Sequence, residues 1–165
     1  MAAFTQPLTE KLAAFVKAIG LEVRPASLDT PTFLPGLAIS HGAILIDEEK
    51  LLYPGDILHE AGHLAVAAPD CRKEMCGNAG EDGGEEMAAI AWSYAAAVYL
   101  DLEPAVVFHG NGYRGGSSTI VEQFAERRYI GVPVLEWLGM TADVKTAAGL
   151  KVPPYPHMLK WLRDS

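Results

Sequence analysis

From Pro54 to Ala68 the chain is apolar except for Asp56 and one polar cluster, His59-Glu60-Ala61-Gly62-His63. That segment constrains the fold more than any other. Placing two imidazoles and a carboxylate in an apolar run is expensive unless they are satisfied. The run also has the limits of one helix: Asp56 lies in the first turn, where the helix dipole favours an anion, and Pro69 closes it. At 3.6 residues per turn, His59 and His63 project from one face, one turn apart. Ile57, Ala61 and Leu64 fall about 140–200° away, on a side that would face a core. Gly62 has no side chain, so a second element can approach there closely.

Two imidazoles on one rigid helix supply two of the nitrogens that a tetrahedral Zn²⁺ takes at about 2.0–2.1 Å. Glu60, offset by about 100° from His59, would sit beside such an ion without replacing a ligand. A carboxylate there can take a proton from an activated water. Two protein ligands hold zinc weakly, so a third is expected. An extended pattern would put another His six residues after His63, but Pro69 stands there. The other source is a carboxylate on the following helix, which Glu85 and Glu86 open. Glu86 is the preferred ligand. It shares a face with Ala89, Ile90, Ser93 and Ala97, small enough to let that helix press on the motif helix near Gly62. Glu85, on the face of Ala88 and Trp92, stays open as the alternative. The helix dipole alone also favours acidic residues at such a position.

The remaining chain reads as short elements around these two helices. Leu8, Leu12, Phe15, Val16 and Ile19 recur at helical spacing, and Gly20 follows as a stop. Residues 21–35 hold Pro25, Pro31 and Pro35 and read as irregular. Leu37–Ser40 and Ala43–Ile46 flank His41-Gly42 and predict a hairpin with His41 exposed at its turn. Cys71 to Gly84 reads as a loop holding Gly77, Gly80, Gly83 and Gly84, followed by an Ala-rich helix from about Glu85 to Leu100. HGNGYRGG, from His109 to Gly116, is glycine-rich but lacks the spacing and lysine of a phosphate-binding loop. Thr119 and Glu122 suggest a capping box for a helix ending near Gly131. Pro133 suggests a further short helix, and the tail VPPYPHMLKWL is expected to pack back on the domain.

Length and composition frame this as one domain, residues 1–165, with half of its residues apolar. The net charge of -8 and scattered basic residues argue against nucleic-acid binding, which needs clustered Lys and Arg. Arg127 and Arg128, the densest group, sit on the predicted helix with Glu122 and Glu126 and read as a solvated face. No apolar run of about 18 residues is present to span a membrane. The N-terminus lacks the basic start and apolar stretch of a secretory signal, so the expected location is cytoplasmic. Cys71 and Cys76 then read as ordinary reduced thiols.

The ligand pattern resembles that of the gluzincin metallopeptidases, which bind zinc through HExxH and a downstream helical Glu. Within them the chain is most similar to the compact ImmA/IrrE-type group. The resemblance covers roughly residues 37–100: the hairpin strand Gly42 to Asp47, the run Ile57 to His63, and the helix beginning Glu86-Met87-Ala88-Ala89-Ile90-Ala91. It departs in the glycine-rich loop before Glu86, and nothing after Leu100 matches. It implies an α+β, zincin-like fold, with a small β-sheet packed on a helical core and the HExxH helix central. It implies His59, His63 and Glu86 as ligands of Zn²⁺ and Glu60 as catalytic base. The expected function is metal-dependent hydrolysis of a peptide or protein substrate. The competing reading is a metal-binding regulatory or structural protein without turnover; a structural zinc site closes with four protein ligands, whereas a catalytic one keeps a position open. Hydrolysis also needs a group to stabilise an oxyanion. His109, Tyr113 and Arg114 are candidates, though each reads first as a loop residue and none is assigned to the site.

Overall fold

The structure is a computed structural model, and it describes residues 2–76, 83–112 and 115–165. Among the described residues the architecture is α+β: seven α-helices and one three-stranded mixed sheet. The chain opens with α1 (Pro7–Ala18), which buries Leu12, Phe15 and Val16 as its periodicity predicts and ends at Gly20 with φ of 107°. The expected hairpin forms: β2 (Leu37–Ser40) pairs antiparallel with β3 (Ala43–Ile46), Ile39 opposite Ile44. His41 and Gly42 both take positive φ, 47° and 78°, the turn whose twist suits a two-residue hairpin. Gly42 is required twice over, because a Cβ there would lie 2.7 Å from the Arg72 carbonyl oxygen.

Residues 21–35 are not wholly irregular. Glu22–Pro25 form β1, which pairs in parallel with β3 and makes β3 the central strand. Only Val23 of β1 is buried, so no alternation marks the strand; its partner lies about twenty residues onward, beyond any local signal.

The motif helix is α2 (Asp56–Val66), somewhat shorter than Pro54–Ala68. Ile57, Leu58, Ala61 and Leu64 are wholly buried, which places the core where the helical arithmetic put it. Pro69 does not simply end this helix. After extended residues at Ala67 and Ala68 it opens a second one, α3 (Pro69–Glu74), in the first turn, where its missing N–H is harmless. Cys71 therefore lies on α3 rather than in a loop, and both cysteines are free and exposed. The Arg72 guanidinium reaches back to the carbonyls of Leu64, Ala65 and Ala67, and Arg163 of the tail donates to Ala65 and Val66. Two cations thus satisfy the C-terminal carbonyls of α2 and complement its dipole.

α4 (Gly83–Tyr99) runs along α2. The close approach expected at Gly62 is present: a Cβ there would stand 2.9 Å from the Ala89 carbonyl oxygen and 3.3 Å from the Ser93 hydroxyl. A 3₁₀ turn at Pro104–Val106 leads to α5 (Ser117–Ala125), α6 (Val132–Trp137) and α7 (Val144–Leu150), the last capped by Asp143 and not anticipated from sequence. The Thr119–Glu122 capping box is not formed. The Ser117 hydroxyl bonds back to the carbonyls of His109 and Gly112, so α5 starts at Ser117 and Thr119 is inside it. α5 stops well before Gly131, at a positive φ on Arg127, so Arg127 and Arg128 lie beyond the helix. The tail does pack back: Trp161 meets Phe15 and Trp92 edge to face, and the Trp92 indole N–H donates to the Trp161 carbonyl at 2.9 Å.

Candidate metal centre

α2 and α4 bring three of the expected side chains to one point. His59 Nε2 and His63 Nε2 stand 3.2 Å apart, their rings nearly perpendicular at 83°. The Glu86 carboxylate straddles the pair, with Oε2 at 2.7 Å from His63 and Oε1 at 3.7 Å from His59. One ligand atom from each residue falls within 4.8 Å of the others. Two ligands of one Zn²⁺ at the tetrahedral angle stand about 3.3 Å apart, so the nitrogen pair already has the spacing an ion requires. His63 is buried, with 3% of its side chain exposed, while Glu86 keeps 40%. The centre is therefore buried at His63 and reached by solvent at Glu86.

The protonation states suit ligation as well, since metal ligands must be neutral imidazole and ionised carboxylate. Burial, aided by the neighbouring His63, drives His59 down to about 4. Burial alone would raise the Glu86 carboxyl, but the His63 hydrogen bond and the charges of both histidines outweigh it and hold it below the ordinary value. Glu60 goes the other way. It is 5% exposed, and burial, reinforced by the negative charges of Asp56 and Glu86, raises it to about 7 against the pull of His63. Burial thus makes Glu60 a more basic carboxylate than Glu86 in the metal-free protein.

Of the two candidate third donors, Glu86 joins the cluster, and Glu85 is not a member of it. The loop residues Tyr113 and Arg114 lie outside the described residues. His109, set aside in the sequence as a loop residue, is placed instead in a buried contact: its Nε2 lies 2.7 Å from Asp56 Oδ1. Asp56 was read only as an anion at a helix start, yet it is 3% exposed, and burial raises its carboxyl despite the opposing His109 bond. A signal for Asp56 did exist. It sits three residues before His59, about 60° around the helix, and so within the same polar stripe. No local pattern marks His109, 53 residues away. No protein family, curated protein or solved structure matches this chain, so the chemistry of the centre has to be judged on the chain's own residues.

Proposed function

We propose that the chain is a zinc-dependent hydrolase of the gluzincin type, a small metallopeptidase acting on a peptide or protein substrate. The observation that carries this is the convergence of His59 Nε2, His63 Nε2 and a Glu86 oxygen, with the buried Glu60 carboxyl one residue along the same helix. The hairpin followed by the packed pair α2 and α4 supports a zincin-like fold with α2 at its centre. His59, His63 and Glu86 would hold Zn²⁺; when bound, the ion polarises a carbonyl and acidifies water. Glu60, beside the ion, would accept a proton from water as the water oxygen bonds to the carbonyl carbon, and would hand it to the amine nitrogen as the C–N bond breaks. α2, capped by Arg72 and Arg163, holds the two histidines at fixed spacing, so little reorganisation accompanies binding. The cluster comprises three protein donors among the described residues, which favours an open, catalytic site over a closed structural one.

Metal analysis and a peptide-library assay test the proposal together. One equivalent of zinc should bind the purified protein and be absent from the His59→Ala/His63→Ala variant. Glu60→Gln should keep the zinc while hydrolysis falls by roughly two to four orders of magnitude. Retention of stoichiometric zinc by the double variant would place the metal elsewhere. Zinc binding without turnover of any library peptide would favour the non-catalytic reading.

A further inference from the structure

Glu86 stands in the first turn of α4, where the backbone N–H groups have no partner inside the helix and the chain is least restrained by its own hydrogen bonds. A ligand placed there needs support from outside the helix. One support is Gly62 of α2, close against the Ala89 backbone. A second comes from the segment between α5 and α6. Gly131 is buried, and a Cβ on it would lie 2.0 Å from the Met87 carbonyl oxygen and 3.0 Å from the Ala88 nitrogen. By helical geometry that peptide lies about 150–200° around α4 from the backbone that Gly62 meets. The two glycines therefore bear on nearly opposite sides of the turn that carries the carboxylate. Gly131 is also the N-cap of α6, with φ of 81° and ψ of -16°. A helix start does not require that conformation, since an N-cap is ordinarily extended. The left-handed backbone lays the chain against α4 instead. Two residues earlier, the Tyr129 ring anchors the segment: its centroid is 4.7 Å from that of Tyr155, 5.5 Å from Phe124 and 6.4 Å from Tyr94 of α4.

We infer that Gly131 is a positioning residue for Glu86: the segment 129–131, anchored at Tyr129, forms with Gly62 a two-sided clamp that holds the Glu86 carboxylate beside His59 and His63. The inference rests on the metal-site reading above and adds the element that sets the third ligand. The segment lies beyond the residues that the gluzincin resemblance covers. Gly131 acts only through the backbone of α4. A Cβ stands no nearer than about 3.0 Å to a carbonyl oxygen, so a side chain at position 131 would force the two backbones apart by about 1 Å. A functional side chain has to be held within about 0.5 Å of its working position, so that displacement is enough to take Glu86 out of register with the histidines. The yielding part would be the first turn of α4, because its backbone has the fewest hydrogen bonds to lose.

The test compares Gly131→Ala with Gly139→Ala in the full-length protein. Gly139 follows the other end of α6 with φ of 73°, and among the described residues its Cβ would meet only the end of the Lys160 side chain, at 3.6 Å. Both variants carry the strain of a left-handed alanine, but only the first presses on α4. Zinc affinity is read by competition titration, and the geometry of the centre by the visible spectrum of the Co²⁺-loaded protein. Gly131→Ala should weaken zinc by at least about tenfold, the lower end for losing support behind a ligand, and should shift the cobalt bands. Gly139→Ala should lower stability in urea and leave both metal readouts at wild type. Should Gly131→Ala fail to fold, Tyr129→Ala takes its place with the same expected changes, since it frees the segment without a clash. Wild-type zinc affinity and cobalt bands in the folded variant would make the segment merely structural and overturn the inference. An equal loss of zinc affinity in Gly139→Ala would overturn it too. The His59→Ala/His63→Ala variant separates the two levels. If it keeps the wild-type cobalt spectrum, the metal reading itself fails; if it loses the spectrum, a negative result at position 131 counts against the clamp alone.

Discussion

Glu60 and His59 are adjacent and titrate in opposite senses for one reason, since burial penalises whichever form is charged. For Glu60 the folded value near 7 exceeds the ordinary 4.5, so the stability it contributes is fully present below 4.5 and is lost as pH rises through 7. For His59 the folded value near 4 lies below 6.5, so its contribution is present above 6.5 and is lost as pH falls through 4. In the zinc-free protein, Glu60→Gln should therefore raise stability by about 3 kcal/mol at pH 8 and give no gain at pH 4, as measured by urea unfolding. A variant no more stable than wild type at pH 8 would show that Glu60 ionises freely in solvent. The choice of third ligand is a residue-scale question as well. Glu86→Ala should lower zinc affinity by at least about tenfold, consistent with losing one ligand, while Glu85→Ala should have a small effect in the same competition titration. The reverse ranking would move the ligand by one position.

Between elements, the contact that matters is α2 against α4, because one helix carries two members of the proposed ligand set and the other carries the third. Gly62 sets their separation: a Cβ would approach the Ala89 carbonyl oxygen to 2.9 Å, and that oxygen belongs to backbone that cannot swing aside. Gly62→Val should destabilise the fold by about 1–3 kcal/mol through overpacking. It should also lower zinc affinity, since spreading the helices draws Glu86 away from the histidines. Zinc affinity equal to wild type in a folded Gly62→Val protein would show that the cluster tolerates a wider spacing. The C-terminal end of α2 is held by different means, two guanidinium groups on its last carbonyls, one of them from the end of the chain.

Across the whole molecule, the tail closes the core over α1 and α4. Trp161 packs on Phe15, Trp92 and Tyr99, joining α1, α4 and the C-terminus. The Tyr155 hydroxyl donates to the Ala91 carbonyl at 2.7 Å. Trp161→Ala should cost about 3 kcal/mol in urea unfolding, the range for removing a packed aromatic, while zinc stoichiometry stays at one per chain because no ligand lies on the tail. A loss below about 1 kcal/mol would mean that the tail is dispensable to the core. No helix among the described residues is long and apolar enough to cross a membrane.

What the amino-acid sequence determined unaided are the features set by neighbours a few residues apart. The α2 helix, its buried Ile57–Ala61–Leu64 side and the shared face of His59 and His63 follow from 3.6 residues per turn. The hairpin follows from two β-prone runs around a turn that needs positive φ. The tight approach at Gly62 was legible because a missing Cβ and a small-residue face on the next helix point to one another. Tertiary structure decided the rest. β1 exists because β3 offers it an edge, and a strand with one buried residue has no pattern to betray it. Pro69 is compatible both with the end of α2 and with the first turn of a new helix, and Arg72 on α3, bonded to the last carbonyls of α2, belongs to the second of these. Which glutamate faces α2 depends on the rotation of α4, a matter of about 100°; the small-residue face of Ala89 and Ser93 favoured Glu86, and Glu86 is the one that stands beside the histidines. The pairing of Asp56 with His109 joins two groups 53 residues apart, and contacts of that range leave no periodicity for a single sequence to show.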